Sequence, residues 1–588
     1  MNIFSSRIGA LRELMRSKGW DAVVITGSDP HGSEYPAERW KQVEWLCGFT
    51  GEAGDMVVTA DHAGLWTDSR YFIQATSQLE GSGVELHKTR VPGEVPIPQW
   101  LEGQFGEEGI VAVDGYCVSA AFAVSLPGTV VSVPDIMSRF WTDRPPIPQT
   151  PVFTVQPGET RLSKIGKIRG FLKDKQCEGI LLSSLDEIAW ILNVRASDIE
   201  YNPLVISYLL ITCDRVLWYV QKGDIEDPQT QATFSILESE GIEELPYSDI
   251  DYVGDEVQGQ LYIDSGSLNY DIFSALQARG NSLLDGTSPV GLWKAVKNSV
   301  EIDDMKEIHI KDGLAMERFL YWLEESVKAG RKIDERDAAI KLGSLRADIE
   351  EYRGDSFETI SAYGPGAALP HYVTPVEDAP ILKDSGLYLC DSGGQYTLGT
   401  TDITRTVPLG KCTPLEREDY TLVLKSHIAL AMAVFPEGTP GCRIDALARE
   451  PLWRSKRNFG HGTGHGVGFF LGVHEGPQDI RQNLNPTPLE PGMIVSDEPG
   501  IYREGMHGVR HENLLLCVED GGNEFGRWMK FEPLTLCHFD TSALEVSRLD
   551  NDELEWLNAY NERVYRTLAP LLPTRISDWL RGKTAPVR

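Results

Sequence analysis

The chain is poor in positive charge, lacks any disulfide pattern and has no long apolar run. Its 55 lysines and arginines stand against 87 acids, a formal charge of -32 over 588 residues. That balance repels polyanions, so neither nucleic acid nor an anionic membrane surface is expected as a partner. Nine cysteines are scattered from Cys47 to Cys537 with no C-x-x-C pair, a usage that points to a reducing cytoplasm rather than a disulfide framework. No apolar stretch reaches the roughly 18 residues needed to span a bilayer. The segment up to Trp20 carries Arg7, Arg12, Glu13, Arg16 and Lys18 at helical spacing in place of an apolar h-region, so no secretory signal is expected. Low-complexity tracts are absent too, and 41% hydrophobic with 24% charged residues is the usage of folded domains.

The length exceeds what one hydrophobic core organises, so several domains are expected. Arg7-Ile8-Gly9-Ala10-Leu11-Arg12-Glu13-Leu14-Met15 is echoed by Lys164-Ile165-Gly166-Lys167-Ile168-Arg169-Gly170-Phe171-Leu172, and strand-like runs follow each, Ala22 to Ile25 and Gly179 to Leu182. The echo predicts two copies of one α/β domain. Between them Arg144-Pro145-Pro146-Ile147-Pro148 reads as a linker, because proline removes a backbone donor and interrupts helix and sheet. A further boundary is expected at Asn298, which with Glu301 forms a capping pair before a helix with Met305, Ile308, Ala315, Phe319 and Trp322 on one face. The expected domains are 1–148, 149–297 and 298–588.

Seven of the twelve histidines lie between His371 and His511, among glycines and acids. Leu387-Tyr388-Leu389-Cys390-Asp391 and Thr400 to Val407 read as strands, and a hairpin centred near Tyr396 and Thr397 would set Asp391 opposite Asp402. Met493 to Glu498 and Val509 to Leu514 flank Glu504-Gly505, and a hairpin centred near Gly505 would pair Glu498 with Glu512. Facing carboxylates repel unless a cation lies between them. In Gly460-His461-Gly462-Thr463-Gly464-His465-Gly466-Val467-Gly468 the histidines have i, i+4 spacing, yet glycine at alternate positions destabilises a helix by roughly 1 kcal/mol each. An extended or looped segment is expected, with its imidazoles in the open. Four carboxylates and a histidine are a hard, oxygen-rich donor set suited to Mn²⁺, with Co²⁺ or Zn²⁺ as alternatives, and their charge balances two divalent ions.

On these residues the chain resembles the pita-bread metallopeptidases, and within them the three-domain, cytosolic Xaa-Pro aminopeptidases (aminopeptidase P). Gly48-Phe49-Thr50-Gly51, Trp66-Thr67-Asp68-Ser69-Arg70-Tyr71-Phe72, Leu185-Asp186-Glu187-Ile188-Ala189-Trp190 and Lys294-Ala295-Val296-Lys297-Asn298 carry the likeness outside the catalytic motifs. The resemblance implies an α/β (α+β) architecture: two creatinase-like N-terminal α/β domains, then a pita-bread catalytic domain. It implies two divalent ions held by Asp391, Asp402, His465, Glu498 and Glu512, with Asp402 and Glu512 bridging, and Glu498 as general base. It places His371, His461 and His474 around the substrate, with Arg510 and Tyr502 just behind the ligands. Leu398 and His511 depart from the family pattern, and neither is a ligand. His427, on a predicted helix from Tyr420 to Val434, and His507 and His511 read as packed histidines.

The implied activity is release of the N-terminal residue from peptides with proline in second place, by hydroxide activated between two metals. The implied enzyme is a cytoplasmic homodimer. A prolidase, which cleaves only dipeptides, is the nearest alternative, and a non-catalytic peptide-binding module is the rival of another class.

Overall fold

The computed structural model describes residues 2–221 and 227–588. They fall into two compact units that divide after Val290.

The first unit contains two six-stranded sheets. Helix α1 (Ile3–Lys18) is capped by the Asn2 side chain, which accepts from Phe4 N–H, and is ended by Gly19 at φ 70°. It buries Ile8, Leu11 and Met15 at helical spacing and leads into β1 (Ala22–Ile25), buried at every position. Strands β2 (Asp55–Thr59), β3 (Ala63–Thr67), β4 (Glu85–Lys88), β5 (Ile110–Val113) and β6 (Thr129–Ser132) complete the order β4-β3-β2-β1-β5-β6. Helix α2 (Arg161–Lys175), capped by Thr160, precedes β7 (Gly179–Leu182) in the same way. With β8 (Ser207–Thr212), β9 (Val216–Val220), β10 (Glu243–Pro246), β11 (Gln260–Ile263) and β12 (Ser282–Asp285) the second sheet runs β10-β9-β8-β7-β11-β12. The echoing segments thus form the helix before the central strand of two sheets with one topology. Equivalent positions also meet, since Ser119 and Asn269, each an N-cap, form a bridge.

The long helix of the second unit is α3 (Ser299–Lys328), whose start is a capping box between Asn298 and Glu301. Met305, Ile308, Ala315, Met316, Phe319 and Leu323 are buried along it. Strands β13 (Ile360–Tyr363), β14 (Leu387–Ser392) and β15 (Ile403–Pro408) form an antiparallel sheet in that order. Helix α4 (Pro414–Ala431) follows. It begins six residues before the predicted Tyr420, because Thr413 caps it with proline at the first helical position. It ends before Val434, which belongs to a short strand, Val434–Pro436. The short strand β16 (Gly464–His465) precedes β17 (Ile494–Asp497), β18 (Gly500–Arg503), β19 (His507–Arg510), β20 (Asn513–Asn523) and β21 (Gly526–Pro533). Strands β17, β20 and β21 share one sheet, while β18 and β19 form a separate ladder. Among the described residues no helix is long and apolar enough to cross a membrane.

The register of the first hairpin differs from the expected one. Asp391 faces Thr404 rather than Asp402, and a second small ladder, Gln395 with Thr400 and Tyr396 with Gly399, tightens the turn to Thr397-Leu398. Gly399 makes this turn possible at φ 139°, where a Cβ would stand 2.1 Å from Met305 Sδ.

Candidate metal centre

Thr404 and Asp402 are two residues apart and therefore share a face of the hairpin, so Asp402 remains on the side of Asp391 despite the shifted pairing. Carboxylate oxygens of Asp391, Asp402 and Glu512 lie within 4.8 Å of one another. In the second hairpin Asp497 pairs with Asn513 and Gly500 with Arg510. Glu498 and Glu512 occupy the facing positions between these two ladders. His465 Nε2 lies 3.5 Å from Asp402 Oδ2 and 3.5 Å from Glu498 Oε1. His465, Glu498 and Glu512 form one ligand-capable group, and Asp402, His465 and His474 another.

The histidine segment is extended, with β16 paired to Asp479 and Ile480. Its glycines are required by close backbone passage, since a Cβ on Gly464 would stand 1.9 Å from the Ser496 carbonyl oxygen and one on Gly466 2.1 Å from that of Glu475. The imidazoles are half-buried rather than open. Each is tied back to the next glycine: His461 Nδ1 is 2.7 Å from the Gly462 carbonyl oxygen, and His465 Nδ1 is 2.9 Å from that of Gly466. A carbonyl only accepts, so both Nδ1 atoms carry hydrogen, and in the neutral rings Nε2 presents the lone pair. At His465 that lone pair points into the carboxylates, the orientation a metal ligand needs. At His461 it accepts from the Tyr502 hydroxyl at 2.8 Å.

Tyr502 in turn accepts from Arg510 Nη1 at 2.7 Å, and Arg510 Nε donates to Asp391 Oδ2 at 3.1 Å while Nη2 makes a shorter contact to the same oxygen. A chain of hydrogen bonds therefore runs from the half-buried His461 through Tyr502 and the buried Arg510 to Asp391. His474 packs edge-on against His465 with ring centroids 4.3 Å apart. His371 is half-buried beside Pro370, whose carbonyl oxygen accepts from Arg510 Nη2 at 3.4 Å. The adjacent Tyr372 hydroxyl donates to Glu335 at 2.7 Å.

Burial pushes the Asp391 and Glu498 carboxyls up and Glu512 well above its ordinary value, and the neighbouring acids add to the rise. Arg510 works against it at Asp391 and Glu498. Asp391 Oδ1 is buried with no hydrogen-bond partner among the described residues. Four carboxylates, one imidazole lone pair and an orphaned oxygen fit divalent cations held largely by oxygen donors.

Thr404 escapes a reading of the sequence alone. Its hydroxyl donates to Glu512 Oε2 at 2.7 Å and accepts from Arg510 Nε at 3.2 Å, so it ties the two hairpins together. Its place two residues after Asp402 is the only signal of this. The other histidines lie in packed surroundings. His507 pairs with Asp419 at 2.9 Å, His427 Nδ1 lies 3.1 Å from the Asp497 backbone oxygen, and His511 packs edge-on against Tyr420 and Phe539.

Residues 303–519 match metallopeptidase family M24 and 527–587 the C-terminal region of M24 peptidases. Residues 7–138 and 143–301 each match the creatinase/prolidase N-terminal domain. The chain is 38% identical to a probable Xaa-Pro aminopeptidase P of Laccaria bicolor, across 99% of this chain and 94% of that one. It is similar to the X-prolyl aminopeptidase of Caenorhabditis elegans, a cytosolic enzyme with a di-nuclear active site, at 32% identity and a TM-score of 0.93 over 99% of both chains. A Bacillus anthracis Xaa-Pro dipeptidase is 25% identical with a TM-score of 0.51, and all but a fiftieth of it is covered by only 64% of this chain.

Proposed function

This chain belongs to metallopeptidase family M24 and is a metal-dependent aminopeptidase, and we propose that it releases the N-terminal residue from peptides whose second residue is proline. The observation that carries the metal site is the convergence of Asp391, Asp402, His465, Glu498 and Glu512, with Asp402, Glu498 and Glu512 grouped with His465, Asp391 grouped with Asp402 and Glu512, and Asp391 Oδ1 left without a partner among the described residues. These five would hold two divalent ions, and Asp402 and Glu512 each belong to two of the ligand-capable groups. The oxygen-rich donors favour Mn²⁺. Full-length likeness to the aminopeptidases, against partial likeness to the shorter dipeptidase, favours the aminopeptidase over a prolidase.

When bound, the ions supply Lewis acidity to the scissile carbonyl and lower the pKa of water. Glu498 takes the proton of the attacking water and passes it to the departing proline nitrogen. His474 donates to the carbonyl oxygen as negative charge grows there, and His371 contributes to the wall around the proline ring. His461 has both ring nitrogens engaged, so it acts on Tyr502. Tyr502 and Arg510 fix the carboxylate of Asp391. The acidic cluster attracts the substrate's free α-amine, which restricts cleavage to the first residue.

The proposal includes domains at 1–148, 149–297 and 298–588, a homodimer and a cytoplasmic location. All nine cysteines are free thiols, as a reducing compartment requires. Four peptides, X-Pro-Y, X-Pro, X-Ala-Y and acetyl-X-Pro-Y, assayed with and without Mn²⁺, test the activity. Metal-dependent cleavage of X-Pro-Y is expected, with the acetylated peptide untouched. Cleavage confined to X-Pro makes the enzyme a prolidase, and equal cleavage of X-Ala-Y rejects proline specificity.

A further inference from the structure

The first sheet carries a second group of imidazoles at its edge. His62 stands just before β3, and His87 lies in the edge strand β4. The parallel register sets Gly64 beside Glu85 and Trp66 beside His87. The Nε2 atoms of His62 and His87 are 3.3 Å apart with ring centroids at 5.4 Å, so each nitrogen faces the other ring. A carboxylate stands near the Nδ1 of each ring: Glu85 Oε2 is 3.7 Å from His62 Nδ1, and Glu94 Oε2 is 3.4 Å from His87 Nδ1.

A carboxylate only accepts, so Glu94 favours hydrogen on His87 Nδ1 and leaves the His87 Nε2 lone pair turned on His62 Nε2. A nitrogen pair this close needs a cation between the two atoms, either a proton or a metal ion. Carboxylate, Nδ1–H and a free Nε2 is also the arrangement that orients histidine at metal centres. Nitrogens 3.3 Å apart are what two bonds of about 2.0–2.1 Å span at a near-tetrahedral angle. Glu85, on the same side of β4 as His87, places a carboxylate oxygen within 4.8 Å of one ring nitrogen of each histidine.

The surroundings keep this gap open and the rings in place. A Cβ on Gly64 would stand 2.7 Å from His62 Nε2 and 2.8 Å from His87 Cδ2. Trp66 stacks on His87 at 3.9 Å with a 3° interplanar angle, and Trp100 covers His62 at 4.8 Å. Burial, and then the neighbouring His87, hold the His62 imidazole below its ordinary pKa, which favours the neutral ligand form. The Glu85 side chain is 69% exposed, so an ion can reach the gap from solvent.

We propose that His62 and His87, with Glu85 as third donor, bind one Zn²⁺ ion at the edge of the first sheet, independent of the catalytic metals. Imidazole with one carboxylate suits zinc better than the oxygen-rich catalytic set does. The ion would clasp the turn before β3 to β4, the two segments that supply its ligands.

Equilibrium dialysis of the full-length protein against Zn²⁺, followed by metal analysis, tests this by difference, because zinc entering the catalytic centre is common to parent and variants. His62→Gln and His87→Gln are each expected to bind one zinc equivalent fewer than the parent, and to lose the part of Cu²⁺ quenching of tryptophan fluorescence that comes from Trp66 and Trp100. His62 is partly exposed, so His62→Gln decides the matter alone should His87→Gln fail to fold. A folded His62→Gln protein with the parent's zinc stoichiometry overturns the proposal and leaves the two imidazoles sharing a proton.

Discussion

Replacing Thr404 by valine isolates one link between the two hairpins without touching a proposed ligand. The Thr404 hydroxyl is wholly buried, donates to Glu512 Oε2 at 2.7 Å and accepts from Arg510 Nε at 3.2 Å. Valine keeps the shape and forms neither bond. A hydrogen bond to a charged group contributes about 1.5–3 kcal/mol, and about 1.4 kcal/mol is tenfold in an equilibrium constant. If that energy holds Glu512 in its ligating orientation, metal affinity falls roughly 10- to 100-fold, the range found for groups that orient metal ligands. Thr404 touches neither substrate nor the proton path, so kcat at saturating metal is expected to stay within a few-fold of the parent. The assay is the Mn²⁺ dependence of X-Pro-Y hydrolysis, with calorimetric titration of the metal-free protein as a second readout. Thr404→Ser, which restores a hydroxyl, is expected to recover most of the affinity. A Thr404→Val activation curve that superimposes on the parent's refutes the role assigned to Thr404, and a fall in kcat at unchanged metal affinity moves that role to the reaction itself.

Glu498→Gln is expected to lower kcat by about 10²- to 10⁴-fold with a smaller change in KM, because the amide cannot take the proton. Metal content measured on the same sample separates this from loss of an ion, and a loaded, fully active variant refutes the general-base assignment. Chelation is expected to abolish activity and lower Tm, with elemental analysis giving two divalent ions per chain before treatment; full activity after complete metal removal rejects the two-metal site. Burial raises the Glu335 carboxyl to about 7, even though it accepts from Tyr363 N–H and the Tyr372 hydroxyl. The native state holds that proton more tightly than the unfolded chain, whose glutamates titrate at about 4.3, so the stabilisation is complete below about 4.3 and lost as pH rises through about 7. Glu335→Gln is fixed in the neutral form, and its stability relative to the parent is expected to rise by on the order of 2 kcal/mol between pH 5 and pH 8. A difference independent of pH in urea unfolding contradicts the raised pKa.

What could be read from the sequence follows the distance over which each feature is determined. The second hairpin is local: alternating runs flank Glu504-Gly505, Gly505 takes φ 70°, and the ladders on either side put Glu498 and Glu512 in facing positions. The first hairpin offers Gly393, Gly394 and Gly399 as turn residues, and only the packing of Gly399 against Met305 selects one of them. Moving the centre of a hairpin by one residue moves each pairing by two, and side chains alternate with period two. Asp402 therefore lost its predicted partner and kept its face, which is the property a ligand needs. Features that join distant segments carry no such periodicity. The Arg510–Asp391 contact spans 119 residues and the Thr404–Glu512 bond 108. The Nδ1–H tautomers of His461 and His465 depend on where the next glycine carbonyl turns, and the His62–His87 pair exists only because β4 runs parallel beside β3. The ligands could be proposed from their hairpins, whereas the groups that orient those ligands become visible only when the hairpins are packed together.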